Sequence, residues 1–358
     1  MAEEKTGGDR FANVLITRFS AIGDVAMSVP VVYSTAMAYP STRFIFLTRK
    51  SMTSIFLNRP ENLVVVGVDL KSPEYKGLRG VRRLFKELRD TYGIDAVVDL
   101  HDVLRTKYLR LLARLHSIPT AHIHKDRRGK RALTRKRHKL LLPLMSSRQR
   151  YSDTFSRLGM SAHPLFKGLF ADGAAPAEAY AAITAPRPAG EHWIGIAPFA
   201  KHKGKIYPVE MMEEVVGKLV ERPDTRIFLF GGGAAERETL QSWAERYERV
   251  RSLAGEHHGF GVELALLSNL DVVVSMDSAN MHLASLVNIP VVSLWGATHP
   301  YCGFGGWRQD PDNTIQLPLT CRPCSVFGDK PCFRGDYMCL AGIRPQIVVD
   351  KVVSLLRD

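Results

Sequence analysis

DVVVSMDSANMHLASLVNIPVVSLWG, residues 271–296, is the stretch on which the fold turns. Residues 272–275 are a short apolar run of buried-strand type. Residues 278–287 carry a helical pattern, and residues 290–295 are a second buried run. Two apolar strands joined by a helix form a βαβ unit, whose strands lie parallel with both faces covered. The turn between the first strand and the helix holds Asp277 and Ser278. The first N–H groups of a helix have no internal partner and sit at its positive dipole end, a setting suited to a phosphate. The same two residues equally suit a plain helix cap. His282 follows inside the helix.

Upstream, residues 193–197 (WIGIA) open the same kind of alternation. The loop after them brings Lys201, Lys203 and Lys205 up to a helix over 208–221 with Pro208 in its first turn, where its missing N–H costs nothing. A lysine beside a helix start makes a phosphate site, and a lysine-rich solvent loop is the plainer reading. Residues 225–230 are another strand, ended by Gly231–233 and followed by a helix over 234–246. Glu236, just inside that helix, suits a ribose or a helix N-terminus. The spacing lacks GxGxxG, so no dinucleotide fingerprint is present. A short helix is expected over 261–269, a Gly-rich loop over 296–307, and a last helix over 345–356.

The first half repeats the theme. Strands are expected at 13–18, 43–48, 63–68 and 95–100, with an amphipathic helix over 77–92. Gly23 and Asp24 stand where the first strand gives way to a helix, and the dipole there favours a carboxylate. His101, Asp102 and Arg105 follow the fourth strand. Polar residues in that position lie at the carboxyl edge of a parallel sheet, where ligands bind, so His101 and Arg105 are candidates to hold an anionic substrate. A helix over 104–116 and a short one over 151–159 come next. Residues 171–192, rich in Ala, Pro and Gly, read as a linker.

The 358 residues favour two domains, and 45% hydrophobic content supplies full cores. Residues 1–10 lack an apolar signal core and no long apolar run occurs, so neither secretion nor a membrane span is expected. The net charge of +13 is local: residues 125–150 hold eleven Lys and Arg against one Asp. That block calls for an anionic partner. It contains no Phe, Tyr or Trp to stack on bases, while residues 140–142 and 144–145 add an apolar patch. The combination suits an anionic membrane surface better than nucleic acid, with a mobile solvated loop as the plain alternative. Cys321, Cys324, Cys332 and Cys339 are spaced C-x2-C-x7-C-x6-C. One C-x-x-C with two further cysteines allows a structural zinc, and four reduced thiols in a compact loop is the alternative.

Three stretches resemble the inverting glycosyltransferases of family nine, the ADP-heptose:lipopolysaccharide heptosyltransferases. ITRFSAIGDVAMSVPVV contains an S-x-x-G-D turn at Ser20, Gly23 and Asp24. KIYP resembles a Lys-x-x-Pro loop with Lys205. SMDSANMHLASLVNIPVVSLWGATHP resembles a D-[ST]-x-x-x-H-L-A element. The resemblance implies an α/β fold of GT-B type, two Rossmann-like doubly wound domains facing across a cleft. The acceptor domain would span 11–170, the linker 171–192, the nucleotide-sugar domain 193–343, and a C-terminal helix 344–358. It implies Asp24 as general base and Ser20, Gly23, His101 and Arg105 at the acceptor. Lys205, Glu236, Asp277, Ser278, Ala279 and His282 would serve the donor. Ala279 departs from the Gly of many members. The implied reaction is inverting and metal-independent, needs no cofactor, and moves heptose from ADP-heptose to a lipopolysaccharide or other lipid-linked acceptor. The expected location is cytoplasmic, peripheral to the inner membrane face, with no nucleic acid bound. A nucleic-acid-binding protein and a nucleotide-dependent oxidoreductase are the alternatives from other classes.

Overall fold

The computed structural model describes residues 10–170 and 173–356. The N-terminal stretch 1–9, the start of the expected linker and the last two residues of the expected C-terminal helix lie outside the described residues. The chain forms two compact units: Met1–Lys125 with Ser147–Leu169, and Asp126–Ser146 with Phe170–Asp358.

Unit 1 contains β1 (Asn13–Thr17), α1 (Ile22–Ala38), β2 (Arg43–Arg49), β3 (Leu63–Val68), α2 (Gly77–Tyr92), β4 (Ala96–Asp99), α3 (Leu104–Leu115) and β5 (Thr120–His122). Its five strands are all parallel, in the order β3-β2-β1-β4-β5. The order reverses between β1 and β4, and ligands of open α/β sheets lie at such a switch point, beyond the carboxyl ends of the strands. β1 and β4 are buried almost throughout because helices cover both faces. β5, three residues long, is too short for its pattern to declare itself in sequence.

Unit 2 begins with α4 (Arg127–Thr134). Unit 1 then closes with α5 (Ser147–Ser156), which packs on α1. The remainder of unit 2 comprises β6 (His192–Ala197), α6 (Val209–Val220), β7 (Thr225–Leu229), α7 (Ala234–Arg246), β8 (Val250–Ser252), α8 (Gly259–Leu267), β9 (Val272–Met276), α9 (Ala279–Leu286), β10 (Val291–Leu294), β11 (Thr314–Ile315), α10 (Met338–Ala341) and α11 (Pro345–Val353). Its six parallel strands run β8-β7-β6-β9-β10-β11, which is the 3-2-1-4-5-6 order of a Rossmann domain. The switch point lies between β6 and β9. All five residues of β9 and all four of β10 are buried, as the apolar runs require. Pro208 takes the N-cap of α6 rather than its first turn.

Two segments differ from a plain sequence reading. The expected linker is docked on unit 2: Ala175 N–H donates to Ser268 Oγ at 2.9 Å, and the Tyr180 ring meets Trp193 edge-on. The basic segment 126–146 is ordered. Asp126 caps α4 through Gly129 N–H, Lys139 Nζ donates to the carbonyls of Cys321 and Pro323 at 2.7 and 2.9 Å, and Leu144 N–H donates to Tyr301 O. Lys130 and Lys136 lie over the rings of Phe304 and Phe333. Three of its lysines are therefore engaged with the rest of unit 2.

Unit 1 is fastened at its switch point by Asp99, the fully buried last residue of β4. One carboxylate oxygen accepts from Thr17 Oγ1 and from the N–H groups of His101 and Asp102. The other lies 3.0 Å from Arg110 Nε on α3. Removing this carboxylate strands three donors and leaves the buried Arg110 guanidinium with Asp102 as its remaining partner, Nη2 to Oδ1 at 2.8 Å. Asp99→Ala is expected to cost unit 1 about 1–3 kcal/mol, read as lost hydrogen-exchange protection in β1 and β4. Protection unchanged from the parent chain would contradict that role.

Candidate functional site

In unit 2, β6 and β9 deliver their following loops to the switch point. The loop after β6 makes a single 3-10 turn, Lys203–Lys205, and the loop after β9 begins with Asp277. Lys205 Nζ and Asp277 Oδ2 are 2.8 Å apart, with side chains only 14% and 3% exposed. Lys205 and Asp277, 72 positions apart in the chain, thus form one buried pair. An isolated carboxylate at this depth would be expensive, and the lysine offsets that cost.

The start of α9 carries no side-chain cap. Ser278 occupies the N-cap position, but its Oγ lies 3.2 Å from Ser275 Oγ and makes no bond to the helix. Ala279 is the first helical residue and is half-buried. His282 is buried one turn further along. The arrangement offers a lysine and a set of helix N–H groups to one anion.

Close backbone contacts hold Lys205 in place. Ala297 N–H donates to Gly204 O at 2.8 Å, and a Cβ on Gly204 would stand 2.8 Å from that of Ala297. Gly328, in the left-handed region at φ +75°, lies against the lysine stem; a Cβ there would meet Lys205 Cγ at 2.7 Å. Behind them Arg322, 3% exposed, donates to the carbonyls of Gly296, Leu317 and Thr298. Arg322 has no motif of its own in sequence; its place in CRPC beside a Gly-rich loop is the only signal.

Glu236 takes up the helix-start position that the sequence also allowed. Its Oε2 accepts from Gly232 N–H at 2.8 Å and reaches Gly233 N–H at 3.4 Å, so the carboxylate organises the start of α7. Asp310 and Asp312, an Asp-x-Asp pair, form a turn in which Asp310 Oδ1 accepts from Asp312 N–H.

The expected zinc set requires correction. The four cysteines line one cavity, yet among the described residues no group of three or more His, Cys, Asp or Glu is placed to hold a metal ion. The zinc expected at Cys321, Cys324, Cys332 and Cys339 is not supported. Cys339 packs into the apolar core, where burial pushes its thiol up to about 11, and Cys324 Sγ faces the Ala297 carbonyl at 3.8 Å. The spacing after the first C-x-x-C lacks a second knuckle to turn the remaining pair inward.

In unit 1 the loop after β1 carries Arg18 and Ser20, and the first turn of α1 carries Asp24. Arg18 is buried and Asp24 is the more exposed partner, its side chain 31% accessible. Arg18 Nη2 lies 2.5 Å from Asp24 Oδ2, which also accepts from Ala21 N–H at 3.1 Å. Arg18 Nη1 donates to Leu100 O, and its guanidinium stands over the Tyr151 ring. The carboxylate is thus oriented by a fixed cation at the N-terminus of α1, with Gly23 half-buried beside it. The signal for Arg18 is the rule that finds His101, a polar residue directly after a buried parallel strand.

His101 joins the two sides of this switch point. Its Nδ1 accepts from Phe19 N–H at 3.4 Å, which leaves the Nε2 proton for Ser20 Oγ at 3.3 Å. Burial, then Arg18 and Lys125, lower its pKa to about 3, so the ring is neutral. His101 and Ser20 are therefore brought together beside the Arg18–Asp24 pair. Arg105 lies half-buried in the first turn of α3.

Residues 81–330, more than half of the chain, match Glycosyltransferase family 9 (heptosyltransferase). The chain is 23% identical, over 96% of its length and 98% of the relative's, to Lipopolysaccharide heptosyltransferase 1 of Pseudomonas aeruginosa. Among solved structures it is similar to the family 9 glycosyltransferase of Veillonella parvula (TM-score 0.72, 17% identity, 96% and 97% of the two chains covered). It is also similar to the ADP-heptose lps heptosyltransferase II of Escherichia coli (TM-score 0.67, 18% identity, 96% and 98% covered). These matches give the GT-B fold class and lend no support to the nucleic-acid-binding or oxidoreductase alternatives. With two parallel Rossmann-type sheets and this family match over residues 81–330, the chain belongs to glycosyltransferase family 9, the heptosyltransferases.

Proposed function

We propose that the chain transfers heptose from ADP-heptose, with inversion, to a hydroxyl of a lipopolysaccharide core or related membrane-borne glycan. The observation that carries this reading is the Lys205–Asp277 pair beside the uncapped start of α9, at the switch point of a Rossmann sheet. Unit 2 takes the nucleotide sugar there. Lys205 and the first N–H groups of α9 stabilise the diphosphate as it departs with negative charge. Asp277 fixes the lysine, and Ser278, Ala279 and His282 shape the helix start. The nucleotide and sugar are read from the similar Escherichia coli protein, whose name specifies ADP-heptose.

Unit 1 takes the acceptor. Asp24 removes the proton from the attacking hydroxyl as the anomeric bond breaks, and attack on the face opposite the leaving diphosphate inverts that centre. Arg18 and Ala21 N–H hold the carboxylate, while neutral His101 positions Ser20 beside the acceptor. Glu236 serves the donor side indirectly, by building the start of α7. No helix of the described residues is long and apolar enough to cross a membrane. The chain works at the cytoplasmic face of the inner membrane, and the exposed part of segment 126–146, with Leu140, Leu141, Leu142 and Met145 half or more exposed, meets anionic lipid.

Three outcomes follow. Asp24→Asn lowers turnover roughly 10²–10⁴-fold and leaves ADP affinity intact, checked by single-turnover transfer and calorimetry; near-normal turnover would take the base role from Asp24. The double variant Lys205→Ala/Asp277→Asn removes both buried charges without stranding either, and weakens ADP binding roughly ten- to a hundredfold. His101 titrates near pH 3, so His101→Gln lowers the rate without moving the limbs of the pH–rate profile above about pH 5. A displaced limb would give the proton step to His101.

A further inference from the structure

Helix α4 turns one of its four cations inward. Arg127, Arg128 and Arg131 are exposed, while Lys130 is half-buried. Leu133, fully buried and three positions on, shares the face of Lys130. Two phenylalanine rings of unit 2 meet that lysine. Its ammonium lies 5.4 Å from the ring centre of Phe304 and 5.6 Å from that of Phe327, and the two rings stack at 6.0 Å. Ring faces hold a cation without neutralising it. Both rings stand on loops that reach Lys205 or Asp277. Phe327 directly precedes Gly328, the residue that lies against the stem of Lys205. Phe304 follows two positions after Cys302 in the Gly-rich loop. Burial pushes the Cys302 thiol up to about 11, and Asp277, Lys130 and Lys205 all act on it through their charges. Three ionic groups from three separate loops thus converge on one buried side chain.

We propose that Lys130 is a second cation of the donor diphosphate site, binding the phosphates together with Lys205. The inference rests on the donor reading above and adds to it a residue from segment 126–146. Charge balance argues for it. A nucleotide diphosphate is negative on both phosphates and gains charge as it departs. Lys205 is already paired with Asp277 at 2.8 Å, so the pair as a unit carries little net charge. One more fixed cation gives the site the positive field that a diphosphate requires. The segment's own fastenings hold Lys130 in position. Asp126 Oδ1 accepts from Gly129 N–H at 3.0 Å at the start of α4, and Leu144 N–H donates to Tyr301 O at 2.9 Å. A Cβ on Gly303, at φ +82°, would stand 2.7 Å from Met145 O, so the segment and the Gly-rich loop are in close contact.

The test measures ADP binding to the full chain by calorimetry over a range of salt concentrations. Lys130→Gln is expected to lower ADP affinity about tenfold and to flatten its salt dependence, while adenosine binds as it does to the parent. Lys130→Arg keeps a cation over the rings and is expected to stay within about threefold of the parent. Lys330→Gln loses the same charge at an exposed position three residues past Phe327, and its ADP affinity is expected to equal the parent's. Unchanged ADP affinity and salt slope in Lys130→Gln overturn the inference. An equal loss for adenosine and ADP overturns it too, since that marks a disturbed pocket. So does unchanged ADP affinity with a raised KM for the acceptor, which gives the ammonium to the acceptor. Weakened ADP binding in Lys205→Ala/Asp277→Asn with none in Lys130→Gln strikes this inference alone and leaves the donor reading standing. A parent chain that binds no ADP strikes the donor reading, and this inference with it.

Discussion

The site in unit 2 depends on one buried ion pair, Lys205 with Asp277 at 2.8 Å. Each partner would be costly alone at that depth, so each fixes the other. The pair also ties two loops that the sheet delivers separately, one after β6 and one after β9. Gly204 and Gly328 let backbone press against the lysine and its loop, and Arg322 anchors the Gly296–Thr298 carbonyls behind them. A lysine held this firmly loses little conformational freedom on meeting a diphosphate, and that preorganisation is what electrostatic stabilisation of a leaving group needs.

Unit 1 repeats the plan with the charges exchanged in depth. There the buried partner is the cation, Arg18, and the accessible partner is the carboxylate, Asp24. The difference matches the chemistry proposed for each side. A base must reach a hydroxyl, so its carboxylate faces outward; a phosphate ligand must present a cation, so the acid lies beneath it. Asp99 and His101 serve as the frame, one by gathering backbone donors and Arg110, the other by linking Phe19 to Ser20 while remaining uncharged.

Both sheets are legible in the sequence because their central strands are buried on two faces and have short apolar cores, as at 272–274 and 14–16. The candidate site residues are placed by position, since His101, Lys205 and Asp277 lie in the loops after such strands and Asp24 in the first turn of the helix after β1. What is not legible is pairing. Nothing near Lys205 in the chain points to Asp277, and Arg18 looks like the ordinary end of a strand. Short elements also escape: β5, β8 and β11 span two or three residues, below the length at which a period can be counted. Within 125–150, charge density hides α4 and hides that Lys130, Lys136 and Lys139 are spent on aromatic rings and carbonyls of unit 2. The cysteine spacing suggested a metal, but among the described residues no group of three or more His, Cys, Asp or Glu is placed to hold one.

The central claim is that the Lys205–Asp277 pair and the start of α9 form the diphosphate site. A crystal structure of the chain with ADP tests it most directly. The account predicts the β-phosphate within hydrogen-bond distance of Lys205 Nζ and of a first-turn N–H of α9, with the Lys205–Asp277 contact retained. ADP bound with its phosphates away from both would contradict it.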